Sequence, residues 1–255
     1  MTKRIGVPVF PGTNSEDETV RLLNDCGGDA ELVHWSQAQR LAGYDAYVLS
    51  GGFAYEDRIR AGAIAAHDRM MDFVIEGAAR GKLVLGICNG AQILLEAGLV
   101  PGTGGVRKPT AAFTRNAPEP HFVCRHVYMK LAMDPSRCAI TRALEPGALV
   151  PAWAANAEGR LAADDAHLRE IVAGEHLAFV YAAADGSVDD AAVPNGSALR
   201  CAGLVNRTGN VLAIMPHPER DGWNFNHLDR SAGTDVLEPS GGAVLFRSFV
   251  AAVSS

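Results

Sequence analysis

The stretch Lys82-Leu83-Val84-Leu85-Gly86-Ile87-Cys88-Asn89-Gly90-Ala91-Gln92 runs from an apolar strand pattern directly into a helical pattern. One glycine lies two residues before Cys88, and another lies two residues after it. This Gly-x-nucleophile-x-Gly spacing is typical of a sharp strand-to-helix turn, in which neighbouring backbone comes too close for larger side chains. The stretch therefore predicts an α/β fold with Cys88 at the carboxyl edge of a sheet.

Two interpretations of Cys88 fit the pentapeptide Gly86–Gly90. The amino terminus of the following helix would stabilise a thiolate, which would make Cys88 a nucleophile. A buried cysteine in a tight turn fits the same residues, because free cysteine is among the most often buried residue types. The pentapeptide alone does not decide between them.

The first hundred residues alternate short apolar runs with longer helical patterns. Strands that alternate with helices in this way predict βαβ units and a parallel sheet. The predicted strands are Ile5–Phe10, Ala30–Trp35, Tyr44–Leu49 and Lys82–Ile87. A first helix is predicted to begin after Asn14 or Ser15, a second to span Ala61–Arg80 and a third to span Asn89–Ala97.

The second half has strand patterns separated by Gly, Pro, Asn and Asp clusters, which favour antiparallel strands. The predicted fold class is α/β, with an open, mostly parallel twisted sheet flanked by helices (flavodoxin-like) and antiparallel additions in the second half. We expect one domain over residues 1–255, although two compact domains also fit this length. The later strands are predicted over His121–Ala132, Ala148–Ala155, Leu177–Ala182, Ala198–Val205 and Val211–Met215, and a last helix over Gly241–Val253.

Composition and charge exclude several classes of protein. The formal net charge is −6 and the basic residues are scattered, so nucleic acid would meet no broad basic field. Five cysteines without Cys-x-x-Cys spacing argue against a disulfide framework and against a zinc ribbon. The amino-terminal apolar run is too short for a signal peptide, and no uncharged run reaches membrane-spanning length. We expect a cytoplasmic protein with reduced thiols, no metal site and no membrane partner.

A second group of reactive residues lies in Met215-Pro216-His217-Pro218-Glu219. It follows the predicted strand Val211–Met215, so it also belongs at the carboxyl end of a strand. The two prolines predict an extended backbone, in which residues two apart point the same way. Glu219 can then orient His217, and His217 can act as general base for Cys88. A turn histidine beside a solvated glutamate is the alternative interpretation.

A third part of the predicted site is Ser50-Gly51-Gly52-Phe53, which closes the predicted strand Tyr44–Leu49. A glycine turn at a strand end can direct backbone N–H groups to an oxygen on which negative charge develops. We assign the oxyanion donors as the amides of Gly52 and Asn89. The alternative interpretation is that the two glycines only make a tight turn.

Together these residues resemble the class I (triad) glutamine amidotransferases, whose nucleophile turn reads Gly-x-Cys-x-Gly-x-Gln and whose base and orienter form a His-x-Glu pair. Here the turn spans Gly86–Gln92, and the pair is His217 and Glu219. Within that family the similarity is greatest to the glutaminase subunits of purine biosynthesis. Further strings that resemble those subunits are Phe10–Asn14, Ser50–Phe53, Arg60–Ala65, Pro194–Ser197 and Met215–Arg220.

The resemblance implies that Cys88, His217 and Glu219 hydrolyse glutamine to glutamate and ammonia, with Gln92 helping to hold the substrate. It implies that ammonia passes to a large ATP-dependent synthetase subunit, and that a small third subunit bridges the two. ATP and magnesium would belong to the synthetase, and this chain would carry no cofactor. The alternatives are a glutaminase subunit of another pathway and a non-catalytic regulatory or scaffold subunit of a synthetase.

One segment departs from the family pattern. Those subunits usually carry His-Gly-Glu-Gly-Arg where this chain has Asn156-Ala157-Glu158-Gly159-Arg160. Asn156 and Ala157 thus replace a histidine and a glycine, whereas the last three residues are kept. The departure leaves the predicted catalytic residues unchanged.

Overall fold

The computed structural model of the chain describes residues 3–227, 233 and 235–255. Helices and strands alternate over the first hundred residues, and strands dominate the second half, as predicted. In chain order the elements are β1 (Arg4–Val9), α1 (Glu16–Asp25), β2 (Asp29–His34), β3 (Ala46–Leu49), α2 (Arg69–Ala79), β4 (Leu83–Ile87), α3 (Asn89–Glu96), β5 (Ala112–Thr114), β6 (Val123–Leu131), β7 (Leu149–Asn156), β8 (Arg160–Ala162), α4 (Asp165–Ala173), β9 (Leu177–Ala182), β10 (Cys201–Val205), β11 (Val211–Ile214) and α5 (Ala243–Ser254).

Within the described ranges, nine strands form one mixed sheet in the order β2-β1-β3-β4-β11-β10-β9-β6-β7. The pairs from β2 to β11 are parallel, and the pairs from β11 to β7 are antiparallel. The α/β class, with a parallel sheet extended by antiparallel strands from the second half, is therefore confirmed. Strands β5 and β8 form a separate antiparallel pair.

The centre of the sheet is buried on both faces. Every residue of β3, β10 and β11 is buried, as is β4 apart from Leu83. Strands covered on both faces bury every side chain, so their sequences are continuous apolar runs without polar alternation. The carboxyl ends of β4 and β11 lie side by side, because Ile87 pairs with Ile214.

Two helical regions differ from the prediction. The helix predicted over Ala61–Arg80 begins only at Arg69, because the Asp68 carboxylate accepts a hydrogen bond from the Met70 N–H (2.7 Å) and caps a new helix there. Helix α4 was not predicted, and its first turn is capped by Asp164. None of the helices in the described parts of the chain combines the length and apolar character needed to cross a bilayer.

Candidate active site

Cys88 lies at the turn between β4 and α3, where its backbone has φ 51° and ψ −107°. A positive φ is uncommon for residues other than glycine, so this turn holds the cysteine in a strained conformation. The Cys88 N–H donates to the Ile214 carbonyl (2.8 Å), which ties the turn to β11. The side chain is 6% exposed and lines a cavity of about 320 Å³. This geometry is that of the predicted nucleophile turn.

Neighbouring atoms leave no room for side chains on the two glycines of this turn. A Cβ on Gly90 would lie 2.0 Å from the Leu49 carbonyl oxygen. A Cβ on Gly86 would lie 2.5 Å from the Leu94 side chain and 2.8 Å from the Gly90 backbone. The close approach of backbone expected from the sequence spacing is therefore present.

We expect Gly90→Ala to destabilise the fold, because its Cβ would meet a backbone oxygen that cannot rotate away. Overpacking of this kind costs about 1–3 kcal/mol, which lowers the melting temperature of a domain this size by several degrees. Gly43→Ala is the matched control, since a Cβ there has no heavy atom within 4 Å. Equal melting temperatures for the two variants, measured by thermal unfolding, would contradict the tight turn.

His217 follows β11 and is 1% exposed. Its Nδ1 is hydrogen-bonded to the Glu219 carboxylate, and its ring also interacts with the Cys88 side chain. Its backbone N–H and carbonyl pair with Trp153 of β7 (2.8 and 3.1 Å). Because an ionised carboxylate only accepts hydrogen bonds, Nδ1 carries the proton and Nε2 is left for the thiol. The structure thus brings together the three residues predicted from opposite ends of the sequence.

The electrostatic surroundings of His217 favour its charged form. Burial tends to lower the pKa of His217, but the Glu219 carboxylate and the Cys88 side chain outweigh burial and raise the pKa to about 10. Glu219 is fully buried, so solvent does not screen this attraction. An imidazolium near neutral pH stabilises a neighbouring cysteine thiolate.

The backbone after His217 differs from the prediction. His217 itself is extended, with φ −102° and ψ 91°, but Pro218–Asp221 forms a 3₁₀ turn. The fixed φ of Pro218 suits the first position of a helical turn, and its missing N–H is not needed there. The predicted contact between Glu219 and His217 is present, but through a turn instead of an extended segment.

The two predicted oxyanion donors lie on different segments, since Gly52 follows β3 and Asn89 comes directly after Cys88. Gly52 lines the cavity, and its N–H has no acceptor among the described residues. Its φ is 155°, and a Cβ would lie 2.7 Å from the Thr13 Cα, so the position requires glycine. Asn89 is the first residue of α3, where backbone N–H groups have no partner within the helix. Their role as oxyanion donors stays a prediction.

Gln92 lines the cavity, but internal hydrogen bonds already engage its amide. Its Oε1 accepts from Asn89 Nδ2 (2.9 Å), and its Nε2 donates to the Glu158 carbonyl (2.7 Å). Its contact with the substrate stays a prediction. The hydrogen bonds give Gln92 a further role, because they fix the backbone of the Asn156–Arg160 segment beside the cavity.

The cavity has polar lining residues that were not identified from the sequence as parts of a site. Asp57 and Glu158 contribute carboxylates, Asn156 an amide, and Arg220 a guanidinium that donates to the Ser15 hydroxyl (3.0 Å). Burial, and then the nearby Glu158, raise the pKa of Asp57 to about 6. The one sequence signal for Asp57 is its position, four residues after Phe53 in the segment that follows the glycine turn.

Comparisons with known proteins cover almost the whole chain. The family model of the CobB/CobQ-like glutamine amidotransferase domain matches residues 2–251. The subunit PurQ of phosphoribosylformylglycinamidine synthase from Symbiobacterium thermophilum is 41% identical over 97% of this chain and 95% of its own. The corresponding subunit from Pyrococcus furiosus is 42% identical over 87% of this chain and 91% of its own. The solved structure of PurLQS from Thermotoga maritima matches with a TM-score of 0.75 and 29% identity, over 98% and 99% of the two chains.

Proposed function

This chain belongs to the CobB/CobQ-like glutamine amidotransferase family, and on that premise we propose that it is the glutaminase subunit of a phosphoribosylformylglycinamidine synthase. The full-length similarity to PurQ subunits supports the pathway. The observation that carries the chemistry is the convergence of Cys88, His217 and Glu219 at one cavity. The enzyme hydrolyses glutamine and supplies ammonia for an amidation in purine biosynthesis.

The subunit works in a complex with a synthetase. The similarity to a chain of PurLQS supports a synthetase partner, and we further propose that a small third subunit bridges the two. ATP and magnesium act on the synthetase, where phosphoribosylformylglycinamide is amidated. The five cysteines are free, which supports a reducing, cytoplasmic location.

In the first half-reaction the Cys88 thiolate attacks the carboxamide carbon of glutamine. The carbonyl oxygen becomes an oxyanion, which the amides of Gly52 and Asn89 stabilise by hydrogen bonds. The imidazolium of His217 then gives its proton to the departing nitrogen, so the C–N bond breaks and ammonia leaves. The product on the enzyme is a γ-glutamyl thioester of Cys88.

In the second half-reaction His217 is neutral and takes a proton from water. The hydroxide that forms attacks the thioester carbonyl, the same two amides stabilise the second oxyanion, and the C–S bond breaks. The new carboxyl group releases its proton to solvent, glutamate leaves, and the thiolate–imidazolium pair is restored. Glu219 keeps the proton on Nδ1 throughout, so that Nε2 performs both transfers.

A thiol-directed glutamine analogue, such as one with a chloromethyl ketone in place of the carboxamide, tests this function. We expect it to label Cys88 in the assembled complex and to block glutamine-dependent but not ammonium-dependent amidation. Excess glutamine should protect the thiol from the analogue. A non-catalytic subunit would show no labelling at Cys88, and a glutaminase of another pathway would be labelled without affecting phosphoribosylformylglycinamide amidation.

A further inference from the structure

A carboxylate that the proposed reaction does not use lies in the cavity of Cys88. Asp57 lines this cavity and accepts a hydrogen bond from Asn89 Nδ2 (3.0 Å). The same nitrogen donates to Gln92, which in turn holds the Glu158 backbone. The side-chain amide of Asn89, the residue that follows Cys88, thus holds Asp57 in place. Through Gln92, the same amide also connects Asp57 to the backbone of Glu158 on the other side of the cavity.

The backbone around Asp57 is strained in a way that sets its position. Tyr55, Glu56 and Asp57 have consecutive positive φ values of 56°, 60° and 50°, and Ile59 has 75°. Each such residue other than glycine carries an energetic cost, and runs of them occur where the surrounding structure imposes them. Tyr55 is tied down by its hydroxyl, which donates to the Asp68 carboxylate (2.6 Å). The segment presents Asp57 to the cavity, whereas the neighbouring Glu56 faces away from it and pairs with Arg58 (2.7 Å).

A second carboxylate lies in the same cavity as Asp57. Glu158 also lines the cavity, and one of its oxygens accepts from the Ala61 N–H (3.2 Å). Burial, and to a smaller extent Glu158, disfavour the charged form of Asp57 and raise its pKa to about 6. A positive group placed beside the two carboxylates would remove that repulsion. In the described ranges no cluster of His, Cys, Asp and Glu side chains is arranged to hold a metal ion.

An unsatisfied amide in the same cavity points independently to a polar ligand. Asn156 is 4% exposed, and neither its side-chain oxygen nor its side-chain nitrogen has a hydrogen-bond partner. A buried polar group without a partner is costly, and this one lines the space in front of Cys88. Its oxygen can accept from an ammonium group, and its nitrogen can donate to a carboxylate. An α-amino acid carries both.

We propose that Asp57, with Glu158 beside it, binds the α-ammonium group of the substrate and thereby restricts the site to glutamine among carboxamides. The inference rests on the proposed glutaminase function. Cys88 and the two oxyanion amides bind the carboxamide end of glutamine, so its α-carbon end must occupy the rest of the cavity. Arg220, on the wall held by Ser15, supplies a positive charge in the same cavity.

The test compares the KM values of the complex, in which this chain is assembled with its synthetase subunit, for two substrates, glutamine and glutaramate. Glutaramate is glutamine without the α-amino group, so it offers the carboxamide and the carboxylate but no cation. Asp57→Asn keeps an oxygen for the Asn89 hydrogen bond and removes only the charge. We expect Asp57→Asn to raise the KM for glutamine about 10–100-fold, the size expected for one charge-assisted contact, and to leave the KM for glutaramate unchanged. The wild type should prefer glutamine by a similar factor.

Two further variants make the result decisive. Glu56→Gln removes a charge from the adjacent residue outside this cavity, and we expect it to match the wild type on both substrates. Glu158→Gln keeps an acceptor for the Ala61 N–H and should reproduce a weaker form of the Asp57→Asn result, even if Asp57→Asn fails to fold. If Asp57→Asn raised the KM for both substrates equally, Asp57 would have a structural role and the inference would be wrong. An unchanged KM for glutamine in this variant would also overturn the inference. Absence of glutamine hydrolysis in the wild-type complex would overturn the proposed function instead.

Discussion

We expect Cys88→Ala to abolish glutamine-dependent amidation in the complex and to leave ammonium-dependent amidation intact, which is the largest effect that we predict. Without the sulfur no thioester forms, and removal of the nucleophile from an assembled triad costs about 10⁴-fold or more in rate. The variant removes one sulfur atom from a side chain that is 6% exposed, and we expect the cavity and the fold to stay in place. External ammonium bypasses this subunit, so the synthetase reaction should proceed at its usual rate.

The measurement is the rate of amidation with glutamine or with ammonium chloride as nitrogen donor. Cys124→Ala is the matched control, because Cys124 is an exposed free thiol on β6 that does not line the cavity of Cys88. We expect this control to retain both activities. Glutamine hydrolysis by Cys88→Ala at more than about a hundredth of the wild-type rate would disprove the nucleophile, because nucleophile variants fall far below that level.

Glu219→Gln should cause the second largest loss, about 10²–10⁴-fold in glutaminase rate, by analogy with other triads that lose their carboxylate. Glutamine is nearly the same size as glutamate, so the fully buried site stays filled. Its amide can present N–H to Nδ1 of His217, which would move the ring proton to the nitrogen that faces the thiol. The variant also loses the charge that raises the pKa of His217.

The charge of the Glu219 carboxylate determines in which direction the pKa of His217 shifts in this variant. In the wild type His217 keeps its proton until about pH 10. With Glu219 neutral, burial is opposed only by Cys88, so the pKa of His217 moves down. An NMR titration of the His217 ring measures this shift directly, with Glu145→Gln as a control at an exposed carboxylate. An unchanged His217 pKa in Glu219→Gln would show that Glu219 does not hold the imidazolium.

The parts of the fold that follow from local patterns could be predicted from the sequence. The strands around Val84 and Ala213 are continuous apolar runs, and both are buried at the centre of the sheet as such runs require. The helical pattern does not show the start of α2, because one hydrogen bond from the Met70 N–H to the Asp68 carboxylate moves it to Arg69. The order of the strands in the sheet also cannot be predicted from local patterns, because strand pairing depends on contacts between residues that are distant in the sequence.

In the candidate site, too, the residues marked by local sequence patterns can be predicted, and those placed by contacts between distant segments cannot. Cys88 and His217 were identified because glycines and prolines mark the backbone around them, and those markers are local. The sequence does not single out Asp57, because its position depends on a left-handed run that Tyr55 and Glu56 do not indicate. Asn156 stood out only as a departure from a family pattern, and its missing hydrogen bonds become visible only when the cavity is assembled.

The place of β11 in the sheet has a consequence for how the enzyme is made. This strand is the last in the described sequence, yet it lies between β4 and β10 and carries His217 to the nucleophile turn. A nascent chain that ends before β11 therefore carries the Cys88 thiol without His217, and it lacks the strand that pairs with β4 in the finished sheet. Pairings of such long sequence separation are intrinsically slow to form. On the proposed mechanism, a chain without β11 lacks the base for Cys88 and hydrolyses no glutamine.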